Sequence, residues 1–185
     1  SLYYHEADND FTFLNVAKIN SPTENQVNNQ LNTIGFTQQN AFKLSNTSQL
    51  NFNFWYQKTD RQIPPTMTQS ESLANQVDEL YRMVLNWKKV DGNTVWLARS
   101  AFLDETILFN DPLIDLAANN RSKGWINEVE SKVYLPKNQL LNIGINYTHY
   151  QAETDNYATL LQQNRIALFA AYRLSFQKWT TVLSL

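Results

Sequence analysis

The sequence predicts an all-β chain, an antiparallel up-and-down sheet of long strands, and three observations carry that prediction. Apolar residues occupy every second position in run after run, as in Leu50-Asn51-Phe52-Asn53-Phe54-Trp55-Tyr56-Gln57 and Leu141-Asn142-Ile143-Gly144-Ile145-Asn146-Tyr147-Thr148-His149. A strict period of two makes one face apolar and the other polar. The polar positions carry mostly Asn, Gln, Thr and Ser rather than Lys and Glu, and the connections between runs alternate short and long. Apolar side chains toward lipid and polar ones toward a wet lumen is the arrangement of a membrane barrel. The expected architecture is therefore a transmembrane β-barrel segment of about nine strands, an incomplete barrel.

The elements follow in order from the alternation. Strands are expected over residues 1–7, 29–44, 49–61, 75–89, 94–107, 124–135, 139–152, 163–174 and 178–185, the first and last being partial. Four tight turns join them in pairs: Ser45-Asn46-Thr47, Asp91-Gly92-Asn93, Pro136-Lys137-Asn138 and the weaker Ser175-Phe176-Gln177. Asp-Gly between two alternating runs is a strong hairpin signal. The segments 8–28, 62–74, 108–123 and 153–162 are polar, rich in Asn, Ser, Thr and Asp, and read as long loops. A strand of about 13 residues spans roughly 43 Å, and a 45° tilt projects it to about 30 Å, a bilayer's hydrocarbon thickness.

Facing follows where alternation is clean. Phe52, Phe54, Tyr56, Tyr81, Met83, Leu85, Trp87, Leu141, Ile143, Ile145, Tyr147, Ile166, Leu168, Ala170 and Tyr172 are expected toward lipid. Asn51, Asn53, Arg82, Asn86, Lys88, Asn142, Asn146 and Arg173 are expected toward the lumen, and 94–107 is ambiguous because both faces carry apolar groups. Trp87, Trp96, Trp125 and Trp179 sit near strand ends, where an aromatic girdle would lie. The alternative is that strand aromatics simply pack a sheet.

Composition narrows the function classes. The chain has 185 residues, a formal net charge of −2, 17% charged and 13% aromatic residues, and no cysteine. Asn and Gln together number 37, but they alternate with apolar residues instead of clustering, which argues against a disordered tract. Nothing in the charge calls for a nucleic-acid partner, and thiol chemistry is excluded. No apolar run is long enough for a membrane helix. The chain has no initiating methionine, no signal-like N-terminus, and stops in mid-pattern, so it reads as a segment of a longer protein.

Two soluble architectures compete with the barrel wall. The tight turns recur about every 40–46 residues, near the period of propeller blades, but a blade packs four short strands into one period. A lipocalin-like barrel would need its apolar face inward and charges outside.

Several segments resemble a known family. Asp8-Asn9-Asp10-Phe11-Thr12-Phe13-Leu14-Asn15, Trp55-Tyr56-Gln57-Lys58-Thr59-Asp60-Arg61-Gln62-Ile63-Pro64-Pro65, Leu140 to Thr148 and Asn164 to Phe169 resemble the barrel of TonB-dependent outer-membrane receptors. The similarity is to Bacteroidetes-type receptors of the vitamin B12 and siderophore group, and the stretch Arg61 to Pro65 is its most specific piece. The resemblance implies a barrel of about 22 strands with a plugged lumen. It implies uptake of a scarce ligand, a small molecule or metal chelate, energised by TonB through a plug domain. It places the protein in a bacterial outer membrane, with lipid around the wall. Residues 1–185 would be part of the barrel domain, with the plug domain and the C-terminal strand lying outside this segment.

Catalytic chemistry finds little support. His5 and His149 are the only imidazoles, and no Ser-His-acid spacing is present. Asp104 and Glu105 are adjacent, so a strand sends them to opposite faces. Asp8, Asp10, Asp111 and Asp115 lack a calcium-loop pattern. Pro64-Pro65 reads as a stiff exit from a strand. The expectation is no enzyme activity, no cofactor and no metal. Any ligand would meet aromatic and polar groups where loops join the lumen mouth. The candidates are Arg61, Gln62, Tyr150, Gln151, Tyr157 and the 108–123 loop.

Overall fold

The computed structural model describes residues 1–155, 157–176 and 178–185. Nine strands form one antiparallel sheet in the order β1-β4-β5-β6-β7-β8-β9-β10-β11. They are β1 (Leu2–Ala7), β4 (Leu31–Lys43), β5 (Ser48–Gln62), β6 (Asn75–Asp91), β7 (Thr94–Asp111), β8 (Leu116–Leu135), β9 (Gln139–Thr154), β10 (Leu161–Phe176) and β11 (Trp179–Ser184). A separate hairpin, β2 (Thr12–Leu14) with β3 (Thr23–Asn25), lies in the connection between β1 and β4. The sheet is open, and the described residues contain no helix.

The connections depart from expectation in three places. The 108–123 loop is not a loop: Asn110 pairs with Ala117 and Asp111 with Leu116, leaving only residues 112–115 to turn. Asp111 Oδ1 accepts from Leu113 N at 3.1 Å, and Asp115 takes a positive φ of 52°. Along Asn110-Asp111 and Leu116 to Arg121 apolar and polar residues do not alternate, so the ladder hydrogen bonds form without the period of two that marks a strand in sequence. The 8–28 segment holds the β2–β3 hairpin. Ser175 and Phe176 belong to β10, and Gln177 lies outside the described residues. At Asp91-Gly92-Asn93 the turn forms as read, with Gly92 at φ 57° in the first central position, a place that favours glycine.

Residues opposite each other on an antiparallel ladder share a face. The pairings Phe52↔Leu85, Leu85↔Ser100, Ser100↔Asn127, Asn127↔Tyr147 and Tyr147↔Ile166 run unbroken from β5 to β10. All fifteen residues expected toward lipid therefore lie on one face, and all eight expected toward the lumen lie on the other. The register also resolves β7, with Trp96, Ala98 and Phe102 on the apolar face and Arg99, Ala101 and Leu103 opposite. Trp87, Trp96, Trp125 and Trp179 share the apolar face. Trp55 is on the polar one, with the Arg82 guanidinium 4.9 Å above its ring.

The apolar band climbs across the sheet. On β5 it runs from Leu50 to Tyr56, centred at 53; on β10 it runs from Ile166 to Phe176, centred at 171. The residue level with 53 on β10 is 165, so the centre moves six residues over five strands. With about 3.3 Å per residue and 4.8 Å between strands, that is a strand tilt of about 40°, inside the range of closed barrels. On β8 the band covers Trp125 to Leu135, about 33 Å along the strand and about 25 Å after tilting, the height of a membrane barrel's apolar belt. Two polar interruptions are bonded internally: Gln38 to Asn40 at 3.3 Å, and Trp125 through Ser100 to Asn127 at 3.0 and 2.8 Å.

The sheet has no second layer. Ala74 is the one buried hydrophobic residue among those described. The accessible surface is 13059 Å², against about 9,200 Å² expected for a compact soluble chain of this mass. Ile166, Leu168, Leu183 and Trp179 are between 66% and 79% exposed. A soluble propeller or lipocalin would bury such groups, whereas here they stand on an open face of the sheet.

Candidate functional site

The long connections gather at one end of the sheet, and the polar face meets them there. On that face three strand glycines each lie under an aromatic ring from the facing strand: Gly35 under Tyr3, Gly124 under Tyr150, and Gly144 under Phe169. The rings lie against the wall where a Cβ would otherwise stand. Tyr3 OH donates to Gln57 Oε1 at 2.8 Å and accepts from Trp55 Nε1 at 3.2 Å. Ion pairs neutralise the arginines of this region: Arg61 with Asp78 at 3.0 Å, and Arg82 with Glu105. Nearer the tight turns, Arg99 pairs with Glu128, and buried Glu130 with Lys132.

The five candidate residues fall into separate groups. Arg61 ends β5 in its ion pair, and Gln62 clamps the preceding connection. Its backbone N donates to Gln30 O at 2.9 Å, and its Oε1 accepts from Gln30 N at 3.3 Å. Tyr150 is on the polar face, 40% exposed, while its neighbour Gln151 turns to the apolar side, level with Lys123 and Gln162. Both line a shallow cleft of about 260 Å³ with Ser122, Leu161 and Gln163. Tyr157 is in the last connection, 61% exposed. β5 and β9 are four strand steps apart, about 19 Å along the sheet, so Arg61 and Tyr150 do not share a pocket. His149 Nδ1 lies 2.7 Å from Asn164 Oδ1 on the apolar side. Asp104 and Glu105 diverge to opposite faces, where they meet Arg121 and Arg82. No cluster of His, Asp or Glu among the described residues could hold a metal.

Sequence reading missed a hydrogen-bonded hairpin at this end. The β2–β3 hairpin docks on the 63–74 segment through amides. Asn15, 1% exposed, donates to Met67 O at 2.9 Å and Glu24 Oε2 at 2.8 Å, and its Oδ1 accepts from Ala17 N at 3.1 Å. Asn28 donates to Ile63 O at 2.7 Å and Ala74 O at 3.0 Å. The Asn15 hydrogen bond, then Lys18 at 2.6 Å, hold the Glu24 carboxyl below the usual carboxylate range. The signal in the sequence was the asparagines at 9, 20 and 28, turn-favouring residues that here take positive φ.

No protein-family model matches the chain, and no curated protein sequence does. Among solved structures it is similar to BauA, the ferric preacinetobactin receptor from Acinetobacter baumannii, with a TM-score of 0.59 and 9% identity. The match covers 80% of this chain and 29% of that one. At that identity the likeness is one of fold: the long antiparallel strands of this chain follow those of part of that receptor.

Proposed function

We propose that this chain is barrel wall from a bacterial outer-membrane receptor that takes up a scarce ligand and performs no catalysis. The observation that carries the reading is an apolar band, tilted by about 40° and about 25 Å tall, on a sheet with no core. Lipid is the partner for that band. The paired Tyr56 and Tyr81, and Trp125 one step nearer the tight turns, mark the loop-side boundary of the belt on their strands, and Trp87, Trp96 and Trp179 sit toward the tight turns. An open sheet edge is not tolerated in hydrocarbon, because backbone groups would go unpaired. The wall therefore works inside a closed barrel, with further strands along β1 and β11.

The fold likeness to a siderophore receptor and the resemblance to TonB-dependent receptors support uptake over passive diffusion. In that reading TonB energises transport through a plug seated against the amide-rich inner face. Ligand enters at the loop end, past Arg61, Gln62, Tyr150 and Tyr157, while Gln151 faces outward. The test is refolding with and without lipid. A β-rich circular dichroism signal and a single size-exclusion peak only in detergent or vesicles is the expected result. A monodisperse, β-rich monomer in plain buffer overturns the proposal.

A further inference from the structure

The loop end carries a cleft of about 280 Å³ between the β2–β3 hairpin and the 63–74 segment. Phe13, Val27 and Pro65 supply its apolar lining, and Gln26, Gln69 and Ser70 its polar lining. Surface connections are ordinarily mobile. This one is fixed by Asn15 and Asn28, whose side chains reach three carbonyls of the opposite segment. A rigid cleft binds without an ordering cost. Among the described residues the Gln26 and Ser70 side chains make no hydrogen bond within the chain, and the Gln69 amide uses only its oxygen, bonded by Thr66. Free amides and a hydroxyl beside an apolar platform are the groups that recognise a ring carrying hydroxyls on its edge and CH groups on its face.

Charge selects within that class. The cleft's one cation, Lys18, is neutralised by Glu24 at 2.6 Å. The connecting segments 8–30, 63–74, 112–115 and 155–160 together carry six carboxylates against that single lysine. Such a field repels anionic chelates.

We infer that this cleft binds one ring of an uncharged saccharide, stacked on Phe13 and Pro65 and hydrogen-bonded by Gln26, Gln69 and Ser70. The inference rests on the uptake reading only in placing the loop end outside the cell. The test uses the chain refolded in a detergent without a sugar headgroup, or in buffer if it is soluble there, so the lipid question is answered separately. Saturation-transfer NMR and calorimetry are run with maltotriose, N,N′-diacetylchitobiose and, as the anionic comparison, ferric citrate. The expected result is binding of a neutral sugar, weakened about tenfold or more by Phe13→Ala and by Gln26→Ala, and unchanged by Asn53→Ala on the distant wall. Gln26→Leu, which keeps the volume, serves if an alanine variant loses its β signal. Absence of binding by either sugar to folded chain, binding indifferent to Phe13 and Gln26, or ferric citrate binding there overturns the inference.

Discussion

Neighbouring residues on one strand offer a stringent contrast, because Phe54 and Asn53 differ by one position and face opposite ways. Phe54 is next to the centre of the apolar band on β5, opposite Met83, with its ring 6.1 Å from Phe36. Asn53 faces the polar side, opposite Gln39 and Val84. An arginine at the bilayer midplane costs about 2–4 kcal/mol, whereas a change on a wet surface usually stays within about 0.5 kcal/mol. Phe54→Arg should therefore raise the unfolding constant roughly 30- to 900-fold, with Asn53→Arg close to the parent chain. Reversible urea unfolding in phosphatidylcholine vesicles, followed by tryptophan fluorescence, measures both. Equal costs at the two positions would refute the facing, and a larger cost at Asn53 would invert it.

Three other outcomes follow from local geometry. A Cβ on Gly144 would meet the Phe169 ring and stand 2.7 Å from the Val129 backbone oxygen, so Gly144→Ala should cost about 2 kcal/mol in the same unfolding assay. Phe169→Ala should recover only part of that, because the carbonyl stays in place. Asn28→Ala leaves the Ala74 carbonyl without its side-chain donor and the Ile63 carbonyl with only the Ser72 hydroxyl, and limited proteolysis should then cut the 63–74 segment faster, by about tenfold. Glu24 has a lowered folded pKa, so its contribution is present above the ordinary carboxylate value and disappears as pH falls through the folded one. Hydrogen exchange of the β2–β3 hairpin should be insensitive to the Glu24→Gln change in its pH dependence between neutral and about pH 5, and differ from it only below about pH 4.

Much of the wall was legible because a sheet with one apolar and one polar face enforces alternation: a slip of one residue would carry every side chain to the other face, so Phe52 to Tyr56 and Leu141 to Tyr147 can be read directly. Outside the band that pressure disappears. Asn110-Asp111 and Leu116 to Asn120 pair as strand on either side of a turn at 112–115, without the apolar–polar alternation that marks a strand in sequence. The ambiguous β7 needed its partners, since only the pairings of Phe102 with Met83 and Trp125 assign its faces. The candidate site was least legible. Arg61 reads as a ligand-binding cation until Asp78, 17 residues further along, is seen to neutralise it. Asn15 and Asn28 act through carbonyls on a segment more than thirty residues away, which no local pattern encodes.

The central claim is that one face of this sheet meets lipid and the other water. The chain has no cysteine, so single-cysteine spin labels can be placed at each residue from 141 to 147 without background. In vesicles, collision with oxygen, which concentrates in lipid, should peak at 141, 143, 145 and 147. Collision with a water-soluble nickel chelate should peak at 142, 144 and 146. Two profiles in phase, or no alternation in either, would contradict the account.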